Sequence, residues 1–370
     1  MRNMSQIKRL QWKTVGAIIL CWIIFGQLFN LLNYFFLKSI EESGGMATYS
    51  LRVSAITYLF IIPVAGLCGG CAIVFFLRER FRNYPLGISI AVNILTIMLL
   101  IVLLTIPGAF IYNSLHFGLS IRSDKVAAES LKIFRSYILW YNIFFWGLIA
   151  AVSIVVLHVN EKYGQGVFLN MLTGKYHRPK EECRIFMFLD IKSSTTIAES
   201  IGHEQWFMLL NDFYNDVTIP ILNNRGQIYQ YVGDEIVIDW LLPKGLKRLN
   251  CINCFYEVKA GIHKRSQYYL KRYGVVPDFK AAVHYGNVTV GEIGRIKKEI
   301  IFTGDTLNTC ARILELCKTY EADLLISKEL QDQLNGSGYY YEHVAELELR
   351  GKQQPVSISK VLTAATRLTA

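Results

Sequence analysis

Hydrophobic positions divide the chain into two regimes. In the first, Thr14–Leu37, Ser54–Leu77, Leu86–Tyr112 and Ser136–Leu157 are apolar throughout and contain no Asp, Glu, Lys, Arg or His. About 20 such residues suffice for a helix to cross a bilayer, so each predicts a transmembrane helix. In the second regime, beyond Arg184, short apolar runs alternate with helical periodicity. Ile185–Leu189 reads as a strand buried on both faces. Thr196-x-x-Glu199 has the form of a capping box, and Trp206, Leu209, Leu210, Phe213, Tyr214 and Val217 recur at helical spacing. Ile228–Val232 and Ile236–Trp240 predict a hairpin. A helix follows over about 247–273, then two strands, Phe279–His284 and Val288–Ile293, broken by Gly286-Asn287. A helix at Thr306–Lys318 and strands at Leu324–Ser327, Tyr339–Leu349 and Val356–Val361 complete an α+β domain. The expected organisation is a four-span helical membrane domain at 1–157, a linker at 158–183 containing the charged GKYHRPKEE, and an α+β domain at 184–370.

Charge adds orientation. Arg2, Lys8, Arg9 and Lys13 precede the first span, and Arg78, Arg80 and Arg82 lie between the second and third. Positive loops stay in the cytoplasm, which predicts a multi-pass protein of the plasma (bacterial inner) membrane with both termini cytoplasmic. The first span is too long for a signal peptide. Spans without ionisable groups argue against an ion pathway or proton relay. Asn30, Asn33 and Asn93 are expected to bond between helices. The net charge of +10 forms no basic stripe, so nucleic acid is not an expected partner. Cys251-x-x-Cys254 lacks the second pair that a zinc site needs and reads as two small buried side chains.

Candidate chemistry begins in IYQYVGDEIVIDW, Ile228–Trp240, where Asp234 and Glu235 stand where two apolar runs meet. Gly-Asp is a good turn dipeptide in its own right. Asp190, however, ends the buried run FMFLD, where a carboxylate is costly unless something positive meets it. If the two strands are neighbours, Asp190 and Asp234 converge, and Mg²⁺ suits such a pair, leaving positions for substrate phosphates. Ser193, Ser194 and Thr195 follow at the expected start of a helix, where backbone N–H groups can bind phosphate. In FTGDTLNTCARIL, Asn308 and Arg312 are four apart on one helical stripe, within reach of a common ligand. Arg350 and Lys352 bracket a glycine in a later turn.

Taken together, FLDIKSS, YVGDE, TGDTLNTCAR and LRGK, in that order over Arg184–Leu362, resemble the class III nucleotide cyclases, and within them the bacterial membrane-anchored adenylate cyclases. The resemblance implies a ferredoxin-like α+β catalytic domain acting as a head-to-tail homodimer on ATP. It implies two Mg²⁺ or Mn²⁺ ions per site, held by Asp190, Asp234 and the Ile191 carbonyl. Asn308 would orient the nucleoside, Arg312 would stabilise the developing charge, and Arg350 would contact the triphosphate. The base-selecting positions depart from the family: Gln230 stands where adenylate cyclases have lysine, and Ile301 where they have Asp or Thr. The Glu and Cys of guanine-selective relatives are absent too, and a Gln amide serves either purine. GTP therefore stays open as a substrate, as does a catalytically silent nucleotide-binding membrane sensor. YVGDE also looks like the signature of diguanylate cyclases, but TGDTLNTCAR has no place there.

Overall fold

The computed structural model describes residues 3–42, 50–77, 80, 84–163, 173–296, 298–334, 338–347 and 355–363. The chain forms two compact units, Met1–Phe168 and Leu169–Ala370.

The first unit is helical: α1 (Asn3–Glu42), α2 (Leu51–Cys71, continuing as a π turn through Ala72–Leu77), α3 (Leu86–Phe117), α4 (Asp124–Leu131, followed by a 3₁₀ turn at Lys132–Arg135) and α5 (Tyr137–Tyr163). Four stretches, Lys8–Ser39, Leu51–Leu77, Gly87–Phe117 and Leu139–Asn160, are long and apolar enough to cross a membrane. Their outward faces are apolar as well, with Phe36, Leu95, Leu99 and Phe144 exposed. Helices apolar all round suit lipid, not water. Polar side chains tie them together: Ser54 Oγ donates to Asn30 Oδ1 (2.5 Å), Tyr141 Oη to Asn33 Oδ1 (2.8 Å) and Trp22 Nε1 to Ser153 Oγ (3.2 Å). Asn93 departs from expectation. Its Nδ2 donates within α3 to the Ser89 carbonyl (2.7 Å), one turn back, so it bonds along its helix.

The second unit is built on a sheet: β1 (Lys180–Ile191), β2 (Gln227–Val232), β3 (Glu235–Leu241), β4 (Phe279–Ile293), β5 (Glu299–Thr303), β6 (Leu324–Ser327), β7 (Tyr340–Leu347) and β8 (Val356–Leu362). The order is β2-β3-β1-β4-β6-β8-β7, with β5 on the outer part of β4. Helices α6 (Ser194–Ile201) and α7 (His203–Asn223) join β1 to β2, and α8 (Asn250–Lys264) and α9 (Ser266–Tyr273) lie between β3 and β4. The first four strands and their helices thus give the βαββαβ order of a ferredoxin-like core. One face of the sheet buries Met187, Leu189, Ile236 and Val283 against Leu209, Phe213, Phe255 and Val258 of α7 and α8. The other face buries Phe186, Phe188, Val237 and Ala282 against Cys310, Ile313 and Leu314 of α10 (Asp305–Thr319).

Four local expectations change. β4 runs unbroken through Gly286-Asn287, because β1 pairs with it there (Arg184↔Gly286, Cys183↔Asn287). Its partner for the hairpin is β5, Ile301 opposite Gly291. The single helix expected over 247–273 bends at Arg265 (φ −98°, ψ 10°), whose guanidinium bonds Asp216 of α7. The Thr196/Glu199 capping box does not form: α6 already begins at Ser194, and no side chain caps it. The Cys251 and Cys254 thiols are fully buried on α8, and burial raises Cys251 to about 12.

Candidate active site

Asp190 is the penultimate residue of β1, flanked in register by Glu235 on β3 and Lys280 on β4. Side chains directly opposite in an antiparallel sheet share a face. Phe188, Val237 and Ala282, two residues inward on each strand, lie on the face covered by α10. Asp190, Glu235 and Lys280 therefore form a polar row on that face, at the end of the sheet.

Asp234 joins the row from the hairpin. Gly233 has φ +63°, and Val232 pairs with Glu235 across the two-residue turn Gly233-Asp234. A glycine with positive φ at the first turn position matches the right-handed twist of the flanking strands. Tyr214 of α7 donates its hydroxyl to the Gly233 carbonyl and packs against Tyr231, the rings tilted by 36° with centroids 4.5 Å apart. The turn is thereby held over the end of β1, close enough for the Asp234 carboxylate to act directly on the Asp190 carboxyl.

The electrostatics follow from this crowding. Burial and then the neighbouring Asp234 carboxylate push Asp190 above the usual carboxylate range, while Lys280 Nζ, 3.4 Å from Asp190 Oδ2, opposes them. Burial, then Asp190 and Asp234, raise Glu235 to about 7. Burial and the same acids raise the Tyr214 hydroxyl to about 12. Acids crowded together in this way repel, and a cation relieves the repulsion. Among the described residues no group of three His, Cys, Asp or Glu is arranged as a metal cage. Two neighbouring carboxylates are nonetheless the open, all-oxygen set that suits Mg²⁺, which keeps positions for water and phosphate.

The other sequence candidates are distributed around this row. Ile191 ends β1 opposite Phe279, its side chain buried. Ser193 has φ +53° and precedes α6, with Ser193 and Thr195 exposed and Ser194 half-buried at the uncapped helix start. Lys192 does not point a free charge there: its ammonium is shared by Asp278 (2.8 Å) and Asp323 (2.5 Å). Asn308, exposed, and Arg312, half-buried, occupy successive turns of α10. That helix is fixed to the sheet by Cys310, whose thiol bonds the Ala282 carbonyl (3.3 Å), and by Thr306, whose hydroxyl bonds the Asn287 carbonyl (3.0 Å). Gln230 is exposed on β2 opposite Val237. Ile301 is half-buried on β5. Their strands are linked by the residues beside them: the Phe302 N–H donates to Tyr229 Oη (3.3 Å), and the two rings pack edge to face at 4.8 Å. Arg350 lies outside the described residues.

Glu235, Lys280 and Tyr214 were not among the sequence candidates. Glu235 sat in the conspicuous stretch, but only the register with Asp190 gives it meaning. Lys280 has no local signal in FKAAV, and Tyr214 lay on a stripe that reads as core.

The family described as Adenylate and Guanylate cyclase catalytic domain matches residues 176–360. Adenylate cyclase 2 of Rhizobium meliloti (strain 1021) is 35% identical over 219 residues, which is 59% of this chain and 60% of that protein. Adenylate cyclase 1 of the same organism is 26% identical over 147 residues, 38% of this chain and 22% of that protein. The chain therefore spans less than two thirds of the length of these curated relatives. A bacterial light-regulated adenylyl cyclase of known structure has a TM-score of 0.51 at 15% identity, over 58% of this chain and 62% of that one, a likeness of fold.

Proposed function

The chain belongs to the adenylate and guanylate cyclase catalytic-domain family, and on that premise we propose that it is a membrane-anchored adenylate cyclase. It would convert ATP to 3′,5′-cyclic AMP and pyrophosphate as a homodimer. The observation that carries this reading is the crowding of acids at the end of the sheet, where Asp190 pairs in register with Glu235 and the Gly233-Asp234 turn brings in Asp234.

Asp190 and Asp234, with the Ile191 carbonyl, would hold two divalent cations, Mg²⁺ or Mn²⁺. Bound there, these supply positive charge for the triphosphate and make the ribose 3′-hydroxyl more acidic. The chain's own groups do the rest. Lys280 and the Tyr214–Gly233 bond keep the two acids aligned. Backbone N–H groups at Ser193–Thr195 receive phosphate oxygens. Asn308 orients the nucleoside. Arg312 faces the phosphate as charge builds on it, where a fixed guanidinium is worth most. Arg350 is a further triphosphate contact. In this reading the acids come from one subunit and Asn308 and Arg312 from the other.

Base choice rests on Gln230 and Ile301. An amide that both donates and accepts fits either purine edge, and isoleucine adds no hydrogen bond. Similarity to adenylate cyclases supports ATP, and this pair supports slower turnover of GTP. The four apolar helices anchor the chain in the plasma membrane with both termini cytoplasmic, as the basic residues before the first span favour. The segment 158–183, part of which lies outside the described residues, would carry signals from the spans to the catalytic domain at 184–370.

The test uses the full chain in lipid nanodiscs with Mn²⁺ and either ATP or GTP. Cyclic AMP should form, with less cyclic GMP, and Asp190→Ala should lower both at least ~1,000-fold. No cyclic product from either nucleotide would overturn the assignment and leave a nucleotide-binding sensor.

A further inference from the structure

Between the helices of the first unit lies a cavity of about 710 Å³, within the range of roughly 300–1,000 Å³ typical of small-molecule sites. Its lining is not uniform. On the side toward the middle of the helices the walls are apolar, with Ala65, Ile97 and Leu104. At the opposite end Ser54, Tyr112, Asn113, Ser130 and Asn142 converge. This polar end is covered by α4 and its 3₁₀ turn, which fold back over α3. Val126 and Ser130 of α4 are buried, and Asn113 Nδ2 donates to Ser130 Oγ (3.0 Å). Lys132 and Glu129 reach the rim, where they pair with each other at 2.5 Å. The polar end thus offers hydrogen bonds of both senses and no net charge.

We propose that this cavity binds an uncharged single-chain amphiphile whose hydroxyl, ketone or amide head bonds the Asn113–Asn142 end, while its alkyl chain lies along Ile97 and Leu104. A carboxylate or phosphate head would face Glu129 and find its one cation, Lys132, already paired. A helix from a second copy, about 10 Å across, would be stopped by the α4 cover. Asn142 and Trp146 of the wall lie in the first half of α5, the last span before the catalytic unit in the chain, and Ser136 immediately precedes that helix. A bound molecule therefore touches the helix through which the membrane unit is joined to that unit. The inference rests on the four helices lying in a bilayer and is independent of which nucleotide is used.

The experiment is photolabelling of the full chain in phosphatidylcholine nanodiscs with a diazirine-bearing hexadecanol, mapped by peptide mass spectrometry. Label should collect on residues 104–113, fall at least tenfold under excess unlabelled hexadecanol, and persist under excess palmitate. Gly108→Leu should abolish the saturable label. A Cβ at Gly108 would meet Ile61 Cγ1 at 3.7 Å, an ordinary contact, and Gly108 lines the cavity, so the rest of the leucine has the cavity to occupy. Should that variant lose its helical circular dichroism, Ala65→Leu fills the same cavity from α2. Label that is not competed and spreads over the lipid-facing Leu95 and Leu99 would mean bulk bilayer only and overturn the proposal. Equal competition by palmitate would overturn the uncharged head. Cross-links only between two chains would assign the space to a second copy.

Discussion

Asp234 shares the end of the sheet with Asp190 and Glu235, and its charge is one of the causes that raise both of those carboxyls. Asp234→Asn removes a like charge from a half-buried cluster. Cyclic nucleotide production should fall at least ~1,000-fold, yet the denaturant midpoint of the metal-free second unit should rise or stay level, because repulsion is relieved. A large loss of stability would mean the acids are not crowded as described. Tyr214→Phe removes the hydroxyl that holds the Gly233 carbonyl, and should cost about 1 kcal/mol in unfolding with a fall in kcat. Asp212 provides the pH test. Burial pushes its carboxyl up, but bonds from Tyr273 and Tyr268 and the charges of Arg272 and Arg265 outweigh this and hold it below its ordinary range. A carboxyl lowered by folding contributes stability above its unfolded pKa of about 3.9, and that contribution is lost as pH falls through the folded value. The gap in midpoint between wild type and Asp212→Asn should therefore be widest at neutral pH and close as the solution is acidified. At this scale the sequence was most readable where chain position alone fixes proximity, as at the strand end of Asp190 and the turn of Asp234. Glu235 and Lys280 become legible only through register, which is a property of three strands that no single stretch contains.

At the scale of elements, apolar pattern identified the four spans, β1, the hairpin and α10, because each buries a continuous stripe. It failed where neighbours overrule local preference. Gly286-Asn287 is a good turn pair, yet the backbone ladder from β1 keeps it extended in β4. The break at Arg265 is likewise made from outside, by Asp216 on another helix. Gly286 has a second duty. An added Cβ would stand 2.5 Å from Thr306 Oγ1, the hydroxyl that seats α10 on the Asn287 carbonyl. Gly286→Ala should therefore shift the start of the helix that carries Asn308 and Arg312. The expected outcome is a fall in kcat of at least ~10-fold, out of proportion to a destabilisation of about 1–3 kcal/mol from overpacking, checked by steady-state kinetics beside urea unfolding.

For the molecule as a whole, the proposed division of labour between subunits makes a sharp demand. Asp190→Ala and Arg312→Ala should each be inactive alone. Mixed at equal amounts, half the dimers pair one of each, and each such dimer keeps one intact site of two, so about a quarter of wild-type activity should return. No recovery on co-expression would place both residues in one subunit's site. The thiols on the inner face of α10 offer a different kind of access. Cys310 and Cys317 are buried against backbone carbonyls of the sheet, and burial holds Cys317 protonated up to about 12. A protonated, covered sulfur does not react with alkylating reagents. Iodoacetamide would reach these two only while α10 itself lifts off the sheet, so their alkylation rate is a built-in clock for how often that helix leaves the acidic face.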